Sequence, residues 1–349
     1  MMRSSLTRTS VGAAAITALM LWVAAGAFAQ SADVTYVEGS VDMEHHGQPR
    51  AEANIGDSLN PGDSVITGAD GLAQLQKSNL ADITVSPGTV FTLRQIDQNG
   101  TKQDVLAVSL GSLAFKFNQL GGKEPLIATL SATAGIRGTS LKVYAGADGS
   151  SLFVVESGKV SVSGTGGNSV DLTPNEGVEV SPGKPPGEKI KILYGKVDYA
   201  SWNDQRLQNI LMDPAAAVAN VAKQLDDYVA KINDLAPRYK KTFEELQQNR
   251  SKLAGIKEKS GQKAMEDYYN KEVYPLEALS ASLYINLRYY TLSALSLRRY
   301  VLGRMYTRIT SMYINDENNV VFSRFIDAYR KALSTFERFV VPQLVAADI

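Results

Sequence analysis

The sequence predicts an α+β protein with two separate domains: an N-terminal all-β domain of short strands, sandwich-like or solenoid-like, and a C-terminal α-helical bundle. The chain has 349 residues, about twice the usual length of one domain. Apolar residues alternate at period two as far as about residue 193 and recur three and four residues apart after Tyr199. These are the spacings of strands and of amphipathic helices. Gly-Asp, Asp-Gly and Pro-Gly turns punctuate the first part, as in compact all-β folds.

Residues 1–29 have the three parts of a secretory signal peptide. Arg3 and Arg8 form a basic start, an apolar stretch follows, and Ala27-Phe28-Ala29 matches an A-x-A cleavage site. We therefore predict a Sec-type signal peptide and a periplasmic or extracellular mature protein. An uncleaved anchor is the alternative, because the apolar run approaches the length that spans a bilayer. No second long apolar segment follows, so no transmembrane span is expected after cleavage.

Cleavage is expected to leave Gln30 as the first residue of the mature chain, because that residue directly follows the A-x-A site. Mass spectrometry of the exported protein measures the mass of the mature chain and so identifies its first residue. A chain that still begins at Met1 would contradict cleavage and favour the anchor.

Composition excludes several classes of function. Lys and Arg together number 36, as do Asp and Glu, and the formal net charge is zero. The electrostatic footprint of a nucleic-acid-binding protein is therefore missing, and no nucleic-acid partner is expected. The chain has no cysteine, which excludes disulfides, thiolate metal sites, a Cys nucleophile and a lipid-modified Cys.

The predicted β-domain covers residues 30–181 and consists of short strands that each place two or three apolar side chains on one face. The pairs or triplets are Ile83 and Val85; Phe91 and Leu93; Leu113, Phe115 and Phe117; Leu141 and Val143; Val160 and Val162; Val170 and Leu172; Val178 and Val180. Residues 182–197 are predicted to be a Pro/Gly-rich linker with a last strand, since three prolines between 181 and 189 prevent regular pairing.

The predicted helical bundle covers residues 198–349. Asp213-Pro214 has the sequence of an N-cap followed by an N1 proline, and we expect one helix up to Pro237 and another beyond it. Residues 257–263 are predicted to form an exposed link. A longer helix, from residue 276 to about 313, is apolar on two sides and should therefore be central. Its two apolar sides allow a homo-oligomer, although a monomeric bundle explains them equally well.

The sequence contains little that resembles a catalytic or metal site. His45 and His46 are adjacent, so in a strand they point to opposite faces and do not chelate one metal. Two stretches formally match the S-x-x-K motif, Ser181 to Lys184 and Ser260 to Lys263. The first lies in the proline-rich residues 181–189 and the second in the predicted link, so neither provides the rigid helix that brings Ser and Lys together. A glycosidase needs a pair of carboxyl groups, and in this sequence that pair would have to come from acidic residues in turns. We predict no catalytic residue, no cofactor and no metal site.

Five arginines lie between residues 284 and 313 with no acidic residue among them: Arg288, Arg298, Arg299, Arg304 and Arg308. Interleaved Arg and Tyr are typical of surfaces that bind nucleic acid or an anionic glycan. On a helical wheel these arginines form no continuous stripe. We therefore expect internal ion pairs with acidic neighbouring helices.

One cation, Arg137, lies in a run of small and apolar residues, ATAGIRGTSLKVYAGADGSSLFVVESGKVSV, at 132–162. This run closely resembles the core of the FecR-like domain family, in which an Arg-Gly-Thr element precedes a strand, a turn and a Glu-x-Gly-x-Val element. The stretches VEGSV at 37–41, IGDSLNPGDSVITGADGLAQLQ at 55–76, ITVSPGTVFTL at 83–93 and LTPNEGVEV at 172–180 also resemble that family in order and spacing. The resemblance covers about residues 34–181.

The resemblance implies a structural signature formed by Arg137, Gly138 and Thr139, with Gly135 and Gly158 beside it. Gly135 and Gly138 would permit close approach of the backbone. Arg137 would donate several hydrogen bonds to turn carbonyls of adjacent strands. On this hypothesis Arg137→Ala lowers the melting temperature by several degrees. The alternative is a working residue, such as an anion ligand or a catalytic charge, which an unchanged melting temperature with lost ligand binding would indicate.

FecR proteins of iron-signalling systems have a sigma-factor-contacting segment, a membrane span and a periplasmic region that meets an outer-membrane transporter. This chain resembles those proteins only in that domain. Because only a few residues precede the export signal, a direct contact with a cytoplasmic sigma factor is not part of the prediction. We therefore predict an exported, non-enzymatic envelope protein whose FecR-like domain binds a protein or ligand, or senses a signal, while the helices provide assembly or a second contact. The alternatives are a wall-associated or outer-membrane-associated scaffold and, less favoured, a carbohydrate-active hydrolase.

Overall fold

The computed structural model describes residues 31–78, 80–118, 124–192 and 196–346. Strands occupy the first part of the chain and long helices the second, which confirms the predicted α+β fold class. The predicted signal peptide lies outside the described residues. The boundaries predicted at residues 181 and 198 remain predictions.

Fifteen strands are present in the described part of the chain, and all belong to one hydrogen-bonded sheet. They are β1 (Ala32–Glu38), β2 (Val41–Glu44), β3 (Ala51–Glu52), β4 (Ser58–Leu59), β5 (Ser64–Thr67), β6 (Leu72–Lys77), β7 (Ala81–Val85), β8 (Val90–Gln98), β9 (Thr101–Phe117), β10 (Leu126–Ala128), β11 (Thr133–Ala145), β12 (Ser151–Ser163), β13 (Ser169–Leu172), β14 (Glu176–Val180) and β15 (Lys189–Lys191).

The long strand β9 organises this sheet. Its first half pairs with β8 and, in parallel, with β10, whereas its second half pairs with β7 and β11. The other pairings are antiparallel. One apolar core takes side chains from strands throughout the sheet, from Ala32 in β1 to Val180 in β14. The alternating residues predicted to face one side lie in β7, β8, β9, β11, β12, β13 and β14, and their burial confirms the period-two pattern.

The helical part begins beside the sheet. Its elements are α1 (Tyr199–Met212), α2 (Pro214–Tyr268), a π-helical turn (Tyr269–Val273), α3 (Tyr274–Leu297), a second π-helical turn (Arg298–Leu302), α4 (Gly303–Met312), α5 (Val320–Phe339) and α6 (Val341–Ala346). Asp213 caps α2 by accepting from Ala216 N, as its position before Pro214 predicted. Among the described residues, no helix is both long and apolar enough to cross a membrane.

Pro237 does not end a helix, contrary to the prediction. It lies inside α2, where proline removes one backbone hydrogen bond and crowds the preceding turn. Its side chain and that of Asn233, whose carbonyl loses its partner, are both exposed. Water can therefore satisfy that carbonyl, and packing on both sides of the proline holds the helix together.

The exposed link predicted at 257–263 is the tip of a helical hairpin. All seven residues are exposed, and Gly261 leaves helical geometry with φ of 87°, a conformation that glycine adopts at little cost. The helical segments before and after this tip, the two arms of the hairpin, lie side by side. Tyr268 donates to Asn249 at 2.6 Å, and Arg250 bridges to Glu277 at 2.6 Å.

The helix predicted to be central runs through α3, the second π-helical turn and α4. Leu283, Leu287, Ala294 and Leu297 on α3 are buried in the helical core. A different side of α3 lies on the sheet, where Tyr289 packs against Val105, Ala107 and Ala128. The prediction of a central helix is therefore confirmed, and one of its two contact surfaces is the sheet.

Candidate functional site

The predicted signature residues form a β-bulge between β11 and β12. Arg137 pairs with Lys159 and Ser140 with Ser157, so Gly138 and Thr139 lie opposite the single residue Gly158. Such a bulge increases the local twist of the strand pair. Gly138 and Gly158 have φ of 53° and 79°, in the region that strongly favours glycine.

Thr139 holds this bulge closed. Its hydroxyl is buried and can donate to the carbonyl of Arg137 at 2.9 Å or of Lys159 at 3.1 Å. The same oxygen accepts from the Arg137 backbone N–H at 3.2 Å. One hydroxyl therefore satisfies backbone groups that the interrupted ladder would leave unpaired.

Two details predicted for the signature are wrong. The Arg137 side chain is exposed and donates no hydrogen bond to the described residues; only its backbone joins the bulge. A Cβ on Gly135 would meet no atom within 4 Å, so no close backbone approach requires that glycine. The close approach is at Gly158, where a Cβ would lie 2.5 Å from the Gly138 carbonyl oxygen.

Arg137→Ala is consequently expected to change the melting temperature by no more than about 1 °C, because exposed side chains away from buried contacts contribute within about 0.5 kcal/mol. Thermal unfolding followed by circular dichroism measures it. A drop of several degrees would restore the original hypothesis.

A second group of polar residues lies where β8 contacts α3, a region we call the joint. Arg94 of β8 is 5% exposed. Its guanidinium donates to Ser293 Oγ and Ser296 Oγ, both at 2.7 Å, and to the Leu292 carbonyl at 3.4 Å. No carboxylate of the described residues pairs with it. Burial lowers the pKa of Arg94, yet an arginine remains charged in proteins. Three oxygen atoms of one helix thus stabilise a buried cation.

Asp97, also on β8, extends the joint towards the start of α3. Its carboxylate accepts from Ser282 Oγ and Gly100 N, both at 2.8 Å. Its backbone N–H donates to Asn286 Oδ1 at 2.8 Å, and its carbonyl accepts from Asn286 Nδ2 at 2.9 Å. Asn286 therefore forms the paired hydrogen bonds that a neighbouring strand would otherwise form, and it fixes the position of α3 along β8.

An ion pair forms another contact between the sheet and the helical region. Arg299, in the second π-helical turn, donates to both carboxylate oxygens of Glu44 on β2, at 3.1 and 3.3 Å. Burial raises the pKa of Glu44, but the hydrogen bonds and charges of Arg299 and Arg50 outweigh it, so the pKa lies below its ordinary value. Arg94, Asp97 and Arg299 thus each connect the sheet to the segment from α3 to the second π-helical turn.

The five-arginine run does not form the predicted ion pairs with acidic neighbouring helices. Arg299 pairs with a strand, and Arg288, Arg298, Arg304 and Arg308 have no carboxylate partner in the described ranges. Packing of α3 on the sheet explains part of this difference, because the sheet occupies one side of the helix.

A small cleft of about 230 Å³ lies between the sheet, the proline-rich residues 181–184 and the start of α2. Ser181 and Lys184 both line it, but the bond that joins them is between backbone atoms, Lys184 N to Ser181 O at 3.2 Å. Asp148 also lines the cleft. Burial outweighs the hydrogen bonds from Ser150 and raises its pKa. The cleft holds no Ser-Lys pair with side chains in contact among the described residues.

The two histidines take part in a turn. His45 Nδ1 contacts Asp63 Oδ2 at 2.8 Å, and the His46 backbone N–H donates to Asp63 Oδ1 at 3.0 Å. Within the described ranges no three His, Cys, Asp or Glu residues form a group suited to a metal ion. Ser260 and Lys263 are exposed beside Gly261.

Sequence reasoning missed the joint. In the sequence, its helical residues look like ordinary polar positions on a helix with two apolar sides: Ser282, Asn286, Ser293 and Ser296. The available signal was their spacing, since all four recur at three, four or seven residues on one face.

Comparison with known proteins matches one segment of the sheet region to a family. The family model described as FecR protein matches residues 63–161; the chain carries a FecR domain, as its motifs predicted. Both the bulge and the β8 side of the joint lie inside the matched segment.

Two crystal structures of a "putative anti-sigma factor" from Parabacteroides distasonis are similar to part of the chain. One is 19% identical, covers 37% of this chain and 59% of its own, and has a TM-score of 0.31. The other is 16% identical, covers 46% and 73%, and has a TM-score of 0.30. The match thus spans less than two thirds of the first of these proteins. No curated protein matches the chain.

Proposed function

We propose that this protein is an exported, non-enzymatic module of the cell envelope that senses a signal through its FecR domain. In this proposal the domain binds a partner protein or a ligand, and the helical region provides assembly or a second contact. Proteins of the FecR family act in regulation and signal transduction. The basic start, apolar stretch and A-x-A site support export.

The joint is the observation that carries the proposal. Binding at one site can affect another only through an element that both sites influence. Arg94 and Asp97 belong to the FecR domain, while their acceptors and donors, Ser282, Asn286, Ser293 and Ser296, all belong to α3. Because α3 is also one arm of the hairpin, a shift of β8 would be transmitted to the helices.

Crosslinking in whole cells, followed by purification of the full mature chain and mass spectrometry, tests the sensing role. We expect one protein in stoichiometric amount, crosslinked to residues 32–190. Recovery of wall or membrane material alone would favour the structural scaffold instead. Release of soluble fragments from a cell-wall substrate by the purified chain would contradict the non-enzymatic role.

Hydrogen exchange tests transmission through the joint. When the recovered partner is added, amide protection is expected to change in β8 and also in α3. The double variant Ser293→Ala/Ser296→Ala removes two acceptors of Arg94 and should confine the change to the sheet. Ser334→Ala, an exposed serine on α5, is the matched control. Equal transmission in both variants would contradict a coupling role for the joint.

A further inference from the structure

Arg288, Arg298, Arg304 and Arg308 have no carboxylate partner in the part of the chain that the structure describes, which raises the question of what neutralises them. Arg298 points to an answer, because it lines a groove of about 540 Å³ between α4 and α5. This volume is in the range of ligand pockets, roughly 300 to 1,000 Å³. Arg330 of α5 lines the same groove.

The floor of the groove is aromatic and apolar. Tyr306, Ile326, Tyr329 and Leu333 line it, and the rings of Tyr306 and Tyr329 lie 4.8 Å apart. Tyr306 is 40% exposed, so part of its ring surface is available to another group. An aromatic or aliphatic side chain would gain free energy by covering this floor.

The rim of the groove is cationic. Arg298 and Arg330 form no ion pair or side-chain hydrogen bond with the described residues, and no acidic residue of the described ranges lines the groove. Guanidinium groups bind carboxylates with two parallel hydrogen bonds. Two guanidinium groups that have no partner among the described residues, beside an apolar floor, are therefore complementary to a ligand with both carboxylates and an apolar body.

The second π-helical turn builds this rim. It ends at Leu302, and a Cβ on the next residue, Gly303, would lie 3.3 Å from the Arg298 carbonyl oxygen and 3.4 Å from Arg298 Nη1. Arg298 lines the groove, while its neighbour Arg299 reaches Glu44 on the sheet. Single π-helical turns within α-helices are frequent at functional sites.

We propose that the groove between α4 and α5 binds an acidic peptide segment of a partner protein, one that presents an aromatic or apolar side chain between its carboxylates. A nucleic acid or anionic glycan fits less well, because Arg304 and Arg308 do not line the groove and no continuous basic track follows it. This assignment specifies the second contact of the proposed function. It does not require the FecR domain to bind anything.

Titration of the full mature chain with the synthetic peptide acetyl-GDEFDEG-amide tests the assignment. Calorimetry gives the affinity, and the chemical shift of the Ile326 methyl group reports on the floor. We expect saturable binding that weakens at least about tenfold when the central Phe is replaced by Gly. The basic peptide acetyl-GKKFKKG-amide should not bind.

Arg330→Ala and Arg298→Gln should each weaken binding of the acidic peptide about tenfold, the loss expected for one charged hydrogen-bonding partner. Arg324→Ala is the matched control, since Arg324 is an exposed arginine on the same helix that does not line the groove; it should change affinity less than twofold. Unchanged melting temperatures confirm that the variants fold, and Arg330 is exposed.

Three results would overturn the proposal: no saturable shift of the Ile326 methyl group, equal weakening by Arg324→Ala and Arg330→Ala, or competition by heparin as effective as that of the peptide. The last would identify a polyanion site. Because this titration reads the groove alone, its failure leaves the crosslinking test of the FecR domain unaffected.

Discussion

Gly158→Ala is expected to lower the free energy of unfolding by about 3 kcal/mol, through both backbone strain and a steric clash. Gly158 has φ of 79°. A Cβ there would lie 2.5 Å from the Gly138 carbonyl oxygen and 2.8 Å from Thr139 Oγ1. Because Thr139 satisfies the backbone at the bulge, movement of its hydroxyl would also cost hydrogen bonds. Urea unfolding at equilibrium measures the change.

Gly166→Ala separates these two causes. Gly166 has a similar φ of 84°, but a Cβ there would meet no atom within 4 Å. Only the strain remains, about 1 to 2 kcal/mol. If both substitutions destabilise the protein equally, the bulge contacts contribute nothing beyond the backbone conformation.

Arg94→Ala is the second large effect, with an expected loss of about 3 kcal/mol. It removes the donor for Ser293, Ser296 and the Leu292 carbonyl, and it opens a cavity under α3. Arg94→Met keeps most of the volume and removes a buried charge that pairs with no carboxylate of the described residues. Its cost should be clearly smaller, because the desolvation of the guanidinium is also removed.

Arg50→Ala is the control for these two variants. Arg50 is exposed and lies near Asp42 and Glu44 at 3.8 and 3.5 Å, where a surface ion pair contributes about 0 to 1 kcal/mol. Urea unfolding of the three variants should rank Arg94→Ala first in destabilisation. A value for Arg94→Ala close to that of Arg50→Ala would show that the joint contributes little to stability.

Strands and helices could be predicted because each has its own period of burial. Phe115 and Phe117 face the core two residues apart, and Leu283 and Leu287 face it four residues apart. Pro237 was misjudged because proline usually ends a helix, whereas the exposed backbone here can be solvated by water. A local rule does not include such tertiary context.

The candidate sites were harder to predict. A motif identified Thr139 and Gly158, but it gave no indication that the Arg137 side chain would be exposed while a hydroxyl closes the bulge. The serines of α3 become meaningful only when Arg94, about 200 positions earlier in the sequence, lies opposite them. Likewise Arg298 and Arg330 share a groove only because α4 and α5 pack side by side.

The tip of the helical hairpin lies far along the helix from the joint. Hydrogen bonds from α3 to the sheet begin at Ser282, and the chain reverses at Gly261. The helix between them extends about 30 Å at 1.5 Å per residue. A tilt of about 10° at the joint would therefore move the exposed tip by about 5 Å, a full helical turn. With an arm of this length, a small change of tilt at the joint would become a displacement of the tip large enough to break or form a contact with another molecule.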